Sequence, residues 1–242
     1  MEHLPECNSR YKDVEYWDER YKKEQSFEWF GDYSKFEHLL EQHVRKEDKI
    51  LVLGCGNSSV SFDMFSCGYG SITNIDYSAV CIETMAARHA DCPGMEWLQM
   101  DARNLAFPEG AFDVVLEKGT LDAMMVEEKD PWKVSPHTAS LVHQVLKEIS
   151  RVLKPGGRFV SITFAQPHFR KRLYAREQFG WSVRHWSYGG GFQYFLYVLT
   201  KGEVLSSEDR ALERKVLEGE RPPTLVTFQD SDSEDYLNNI TL

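Results

Sequence analysis

Hydrophobic and polar positions along this chain follow two rhythms that alternate. Residues 13–24 place Val14, Trp17 and Tyr21 on one face with charges between them, the three- and four-residue spacing of an amphipathic helix. Ser34-Lys35-Phe36-Glu37 has the form of a capping box and predicts a helix to about Arg45, with Leu39 and Leu40 inward. Lys49–Leu53 is a short apolar run ending at Gly54, the pattern of a strand buried on both faces. A strand at Ser71–Ile75 precedes Ser78, which can cap a helix through about Ala90. Phe112–Leu116 repeats the buried-strand pattern. Leu141, Val142, Val145, Leu146, Ile149, Val152 and Leu153 then recur at helical steps. Pro155-Gly156-Gly157 is the expected stop, after which Arg158–Phe164 returns as a strand.

Strands alternating with helices over residues 50–165 predict βαβ units, hence a mostly parallel α/β sheet with helices on both faces. Trp181–Tyr188 and Phe192–Thr200, joined by Gly189-Gly190-Gly191, predict an antiparallel hairpin added to that sheet. From about Glu203 the chain is more polar. It offers one helix, Ser207–Leu217, and an acidic run at Gln229–Asp235 that is expected to be solvated. No internal repeat is visible.

Composition narrows the class. With 242 residues, 42% hydrophobic and 13% aromatic, the chain can form a packed core burying about 70% of its unfolded surface. The net charge of −10 argues against a surface built wholly for nucleic acid or an anionic membrane. That charge is unevenly spread: residues 203–242 hold ten acids and four bases, so a preference for a basic partner belongs mainly to the C-terminal segment. Five cysteines with no C-x-x-C pair give neither a disulfide framework nor a zinc-site spacing, and point to a reducing compartment. No apolar run approaches the roughly 18 residues of a membrane span, and residues 1–10 lack a signal-peptide core. The expectation is a cytoplasmic protein that binds no membrane.

Candidate chemistry begins at Ile50-Leu51-Val52-Leu53-Gly54-Cys55-Gly56-Asn57-Ser58-Ser59. A strand running into closely spaced glycines lets the backbone turn sharply and approach a ligand. A nicotinamide fingerprint would want glycine or alanine where Ser59 stands. Asp76 lies 22 residues beyond Gly54, at the end of the next strand, where an acid can accept the hydroxyls of a ribose; a helix cap is the plainer alternative. Asp101 closes the following segment and could accept from an adenine amine, or simply form a turn. Three such features in this order favour an adenosine-containing ligand.

Gly54, Gly56, Asp76, Asp101, Phe112–Leu116 and Val152–Gly157 together resemble the seven-stranded, Rossmann-like class I methyltransferases that use S-adenosylmethionine, and the terminal hairpin fits their reversed last strand. Tyr16-Trp17-Asp18-Glu19-Arg20-Tyr21, Trp29-Phe30-Gly31-Asp32, Glu117-Lys118-Gly119-Thr120-Leu121-Asp122 and Pro167-His168-Phe169-Arg170 resemble the methyltransferase-like 13 group, and within it the lysine methyltransferases of translation elongation factor 1-alpha. Leu53 and Ser58 depart from the wider class, where an acid and a glycine are common. The resemblance implies cofactor contacts at Trp17, Tyr21, Trp29, Gly54, Gly56, Asp76, Tyr77, Asp101, Ala102 and Lys118. It also implies that Glu117–Asp122 is needed for activity. It divides the chain into a helical lid and substrate segment (1–48), a cofactor-binding core (49–202) and an acidic C-terminal segment (203–242). It further implies a monomer acting on a protein substrate, with no metal and no direct nucleic-acid contact.

Aromatic faces at Trp17, Tyr21 and Trp29 would attract a sulfonium by roughly 0.5–2 kcal/mol each; a core stripe is the alternative. A lysine nucleophile, with a pKa of about 10.4, must first lose its proton. Glu117 and Asp122 are the expected catalytic acids, orienting the amine and accepting its proton, with capping or ion pairing as the alternative. The basic run His168–Arg172 with Arg176 is a solvated helix face or a wall for docking acidic substrate side chains.

Overall fold

The structure is a computed structural model describing residues 5–130 and 132–219, so the acidic run at 229–235 lies outside the described residues. Seven strands form one sheet: β1 (Ile50–Leu53), β2 (Ile72–Asp76), β3 (Met95–Gln99), β4 (Phe112–Lys118), β5 (Leu153–Thr163), β6 (Trp181–Tyr188) and β7 (Tyr194–Lys201). Their order across the sheet is β3-β2-β1-β4-β5-β7-β6. The first five are parallel, while β7 runs antiparallel to both β5 and β6. This is the Rossmann-like sheet with a reversed last strand that the sequence predicts. The chain steps outward through β2 and β3, then returns to place β4 on the other side of β1. That reversal opens a crevice at the carboxyl ends of β1 and β4.

The central strands are apolar in both directions because both faces are covered. Ile50 and Val52 of β1 and Val114 and Leu116 of β4 face one core; Leu51, Leu53, Phe112 and Val115 face the other. The first core is closed by α2 (Glu37–Leu40), α3 (Val60–Ser66) and α4 (Ala79–Arg88). The second is closed chiefly by α6 (Pro136–Val152) and α7 (Pro167–Tyr174). Ahead of them α1 (Val14–Lys23) packs near α4, whose N-cap Ser78 donates its hydroxyl to Asp18. After β4 comes the short α5 (Thr120–Met124), and α8 (Ser207–Leu217) follows the hairpin over its predicted residues.

Two sequence expectations change. Ser34 does not open a helix: Asp32 accepts its N–H and its hydroxyl, which starts a 3-10 turn at Tyr33–Lys35, and α2 is only four residues long. Glu37, the other half of the expected box, instead accepts from the Cys67 thiol. Nor does Pro155-Gly156-Gly157 separate helix from strand. α6 ends at Val152, β5 starts at Leu153, and the Pro-Gly-Gly segment is absorbed as an irregularity in which Phe112 pairs with Leu153 but Val114 with Arg158.

Candidate active site

The crevice between β1 and β4 holds a cavity of about 260 Å³. Its floor is the β1–α3 turn, where Gly54 and Gly56 have φ of 59° and 51°. Both positions need glycine for contact as well as for conformation. A Cβ on Gly54 would stand 2.3 Å from Oγ1 of Thr120, and one on Gly56 would stand 3.1 Å from the Tyr21 hydroxyl. Thr120 donates its hydroxyl to the carbonyl of Leu53 at 2.9 Å, fastening the turn after β4 to the turn after β1.

Asp76 ends β2 with its side chain almost wholly buried. One of its oxygens accepts the N–H of Gly56 and the other that of Ser78, both at 3.0 Å. Burial pushes its carboxyl up to about 6, against the opposing pull of those two N–H groups. Each carboxylate oxygen has two acceptor sites, so capacity remains for two ribose hydroxyls. Tyr77, Asp101 and Ala102 line the same cavity. The Asp101 carboxylate is engaged by Arg103, whose Nη2 lies 2.6 Å from Oδ2, and that pairing holds its pKa below the usual value.

The roof is aromatic. Trp17 and Tyr21 of α1 stack with centroids 5.6 Å apart, Trp29 meets Trp17 at 6.5 Å, and all three line the cavity. Tyr11 completes the group, accepting from Trp17 Nε1 through its carbonyl at 2.8 Å. Arg20, one turn beyond Trp17, is buried with its guanidinium 4.6 Å from the centre of Phe27 and bonded to Glu24. Lys118 ends β4 with its ammonium 2.9 Å from Glu28, and burial lowers its pKa. Arg20, Phe27 and Glu28 were missed by sequence reasoning. The charge at Arg20 reads as a solvent position, and Phe27 and Glu28 sit in a loop that no periodicity marks.

Glu117 and Asp122 are not brought to this cavity. Side chains alternate along β4, so Leu116 and Lys118 face the cavity while Glu117 faces the opposite core, fully buried. There it accepts the N–H groups of Thr120 and Leu121 and bonds the Ser161 hydroxyl. Burial foremost, with the nearby Asp122 charge, pushes it up to about 7. Asp122 accepts from Arg170 and from the Thr163 hydroxyl. Three charges of the basic run are engaged within the chain: Arg170 is buried against Asp122, Lys171 pairs with Asp209 of α8, and Arg172 bonds the Trp132 carbonyl, while His168 is exposed.

One further grouping crosses three elements: single ligand atoms of Cys55, Asp76 and Cys81 lie within 4.8 Å of one another. Linear spacing gives no hint of it. Both Asp76 oxygens already accept backbone N–H groups, so the two thiols pack around an engaged carboxylate.

Comparison with known proteins decides what this cavity belongs to. A methyltransferase domain family matches residues 51–161. The chain is 51% identical to EEF1A lysine methyltransferase 4 of Bos taurus and 50% identical to that of Mus musculus, in each case over 99% of this chain and 95% of the relative. The chain belongs to the EEF1A lysine methyltransferase 4 family. The fold is shared more widely. A Pyrococcus horikoshii crystal structure matches at TM-score 0.55 and 20% identity, over 76% of this chain and 99% of that one. A Methanosarcina mazei S-adenosylmethionine-dependent methyltransferase matches at 0.51 and 21%, over 69% and 98%.

The chain is thus an S-adenosylmethionine-dependent methyltransferase, and its cavity fits that cofactor. The Gly54–Gly56 turn admits close approach, Asp76 keeps acceptor capacity for a ribose, and the aromatic roof suits a sulfonium.

Proposed function

We propose that this chain methylates a lysine side chain of translation elongation factor 1-alpha, as a monomer in the cytoplasm and without direct contact to nucleic acid. The observation that carries the reading is the likeness to EEF1A lysine methyltransferase 4 along 99% of the chain, because it includes the lid and loops outside the sheet. Substrate choice resides in such segments, on a scaffold shared by many activities.

S-adenosylmethionine supplies a methyl group made electrophilic by its sulfonium sulfur. The protein's part is to hold and orient. Asp76 would accept from the ribose, the Gly54–Gly56 turn would admit backbone close to the cofactor, Asp101 and Tyr77 would meet the adenine, and Trp17, Tyr21 and Trp29 would exclude water from the roof. The substrate amine must arrive neutral, and a neighbouring sulfonium would disfavour its ammonium form. Glu117 and Asp122 act in this reading as positioning residues. Glu117 caps α5 and thereby sets Thr120 against the glycine turn, while Asp122 anchors α5 to Thr163 and Arg170. Much of the acceleration then comes from alignment of amine, methyl and sulfur.

The test is incubation of the enzyme with methyl-labelled cofactor and cell lysate, followed by mass spectrometry. Label on a lysine of the elongation factor is the expected result. A labelled metabolite beside an unlabelled elongation factor would overturn the substrate assignment and favour a small-molecule methyltransferase.

A further inference from the structure

Ser58 closes the glycine turn after β1, and the cofactor chemistry above makes no use of it. In this structure its hydroxyl donates to the Glu28 carboxylate at 2.8 Å. Glu28 lies in the irregular stretch between α1 and the 3-10 turn, beside Trp29 of the roof. Its carboxylate collects three donors from outside the lid: the Ser58 hydroxyl, the N–H of Ser59, and the Lys118 ammonium at 2.9 Å. The same ammonium donates to the Trp29 carbonyl at 2.9 Å. Lys118 therefore grips two consecutive lid residues, one by side chain and one by backbone. The pair is well shielded, with side-chain exposures of 7% for Lys118 and 20% for Glu28.

The Trp29 ring packs edge-on against Tyr11 and Phe27, and its backbone is held from the sheet by Lys118. Phe30, the next residue, has φ of 59°, a left-handed conformation that a non-glycine residue adopts only when its surroundings impose it. Its carbonyl is held by the Tyr188 hydroxyl at 2.8 Å, and Asn57 holds the Glu24 carbonyl at 3.0 Å. Those contacts stand on either side of Glu28. The bonds made by Glu28 are the ones that join the lid to both strand ends flanking the cavity, β1 through Ser58 and Ser59 and β4 through Lys118.

We propose that Glu28 is the positioning residue that latches the aromatic lid over the cofactor site, and that Ser58 is its matched partner in the glycine turn. The proposal concerns cofactor binding and is independent of which substrate receives the methyl group.

The experiment is a double-mutant cycle on the full chain, read by calorimetric titration with S-adenosylhomocysteine, with Trp29→Phe as the reference for tryptophan fluorescence. Glu28→Gln keeps shape but removes the charge, and is expected to weaken binding about tenfold or more. Ser58→Ala is expected to weaken it about threefold, and the double variant to bind no more weakly than Glu28→Gln alone, because the two groups act as one contact. The fluorescence change contributed by Trp29 on ligand addition should shrink in Glu28→Gln. Native affinity in Glu28→Gln would overturn the latch, and losses that simply add would overturn its pairing with Ser58. Should Glu28→Gln fail to fold, Ser58→Ala remains decisive: unchanged affinity there overturns the pairing. Because the readout is ligand affinity, a failed substrate assignment would leave this result untouched.

Discussion

Arg170 places its Nη2 2.6 Å from Oδ1 of Asp122 in a buried ion pair that joins α7 to α5 on the face of the sheet opposite the cavity. Removing one partner of such a pair leaves the other charged, buried and uncompensated, at a cost of about 3–5 kcal/mol. Asp122→Ala should therefore lower the melting temperature by about 10 °C, with activity lost through instability and displacement of α5. Combining Asp122→Leu with Arg170→Met should recover most of that stability in thermal denaturation. An unchanged melting temperature in Asp122→Ala would refute the stabilising role of this pair.

Glu117 adds a pH signature to the same region. Its folded carboxyl sits at about 7, raised from 4.5 chiefly by burial, so the folded chain holds this proton more tightly than the unfolded one. The stability it contributes is fully present below pH 4.5 and is lost as pH rises through about 7. Glu117→Gln, neutral at every pH, should lack this loss. The difference in melting temperature between the native chain and the variant should shift in the variant's favour from pH 5 to pH 8, and a constant difference would refute the assignment.

For Asp76 the titration appears in ligand affinity. Ribose hydroxyls donate to a carboxylate, so the ionised form binds better, and its pKa of about 6 sets the window. Cofactor affinity should be level above neutral pH and fall as pH drops below about 6. Asp76→Ala should weaken binding more than tenfold and remove the dependence. Calorimetric titration between pH 5 and 8 measures both.

Gly54→Ala would create a 2.3 Å contact with Thr120 Oγ1 on a backbone at φ 59°. The left-handed conformation alone costs an alanine about 1–2 kcal/mol. Cofactor binding should fall below detection, with a lowered melting temperature. Adding Thr120→Ala should restore part of both, since it removes the hydroxyl and methyl that the new Cβ meets. No recovery would mean that backbone strain, rather than the clash, dominates.

What the sequence made legible follows from where its signals arise. The strands β1, β2 and β4, the Ser78 cap and α8 come from local patterns, apolar runs and short polar caps, and the structure has them where the patterns lie. The Gly54, Asp76 and Asp101 triplet was readable because each stands at the end of a strand, and the cavity gathers all three. Glu117 was not readable in this way. Its place beside Lys118 suggested a shared site, but adjacent residues of a strand point to opposite faces, and only the layers on each side determine which face holds ligand. Glu28 was hidden because its partners lie in other elements, and Arg20 because a helix arginine carries no mark of being buried, although its partners Tyr16 and Glu24 are four residues away.

The Tyr188–Phe30 hydrogen bond spans 158 residues, joining the lid to the hairpin on the far side of the sheet. During synthesis the strands that form the floor of the cavity emerge long before residue 188 does. The contacts of the lid with Asn57, Ser58, Ser59 and Lys118 join residues synthesised early, whereas the Phe30 carbonyl gains its Tyr188 donor only with the hairpin. One lid carbonyl therefore depends on a donor made 158 residues later in the chain.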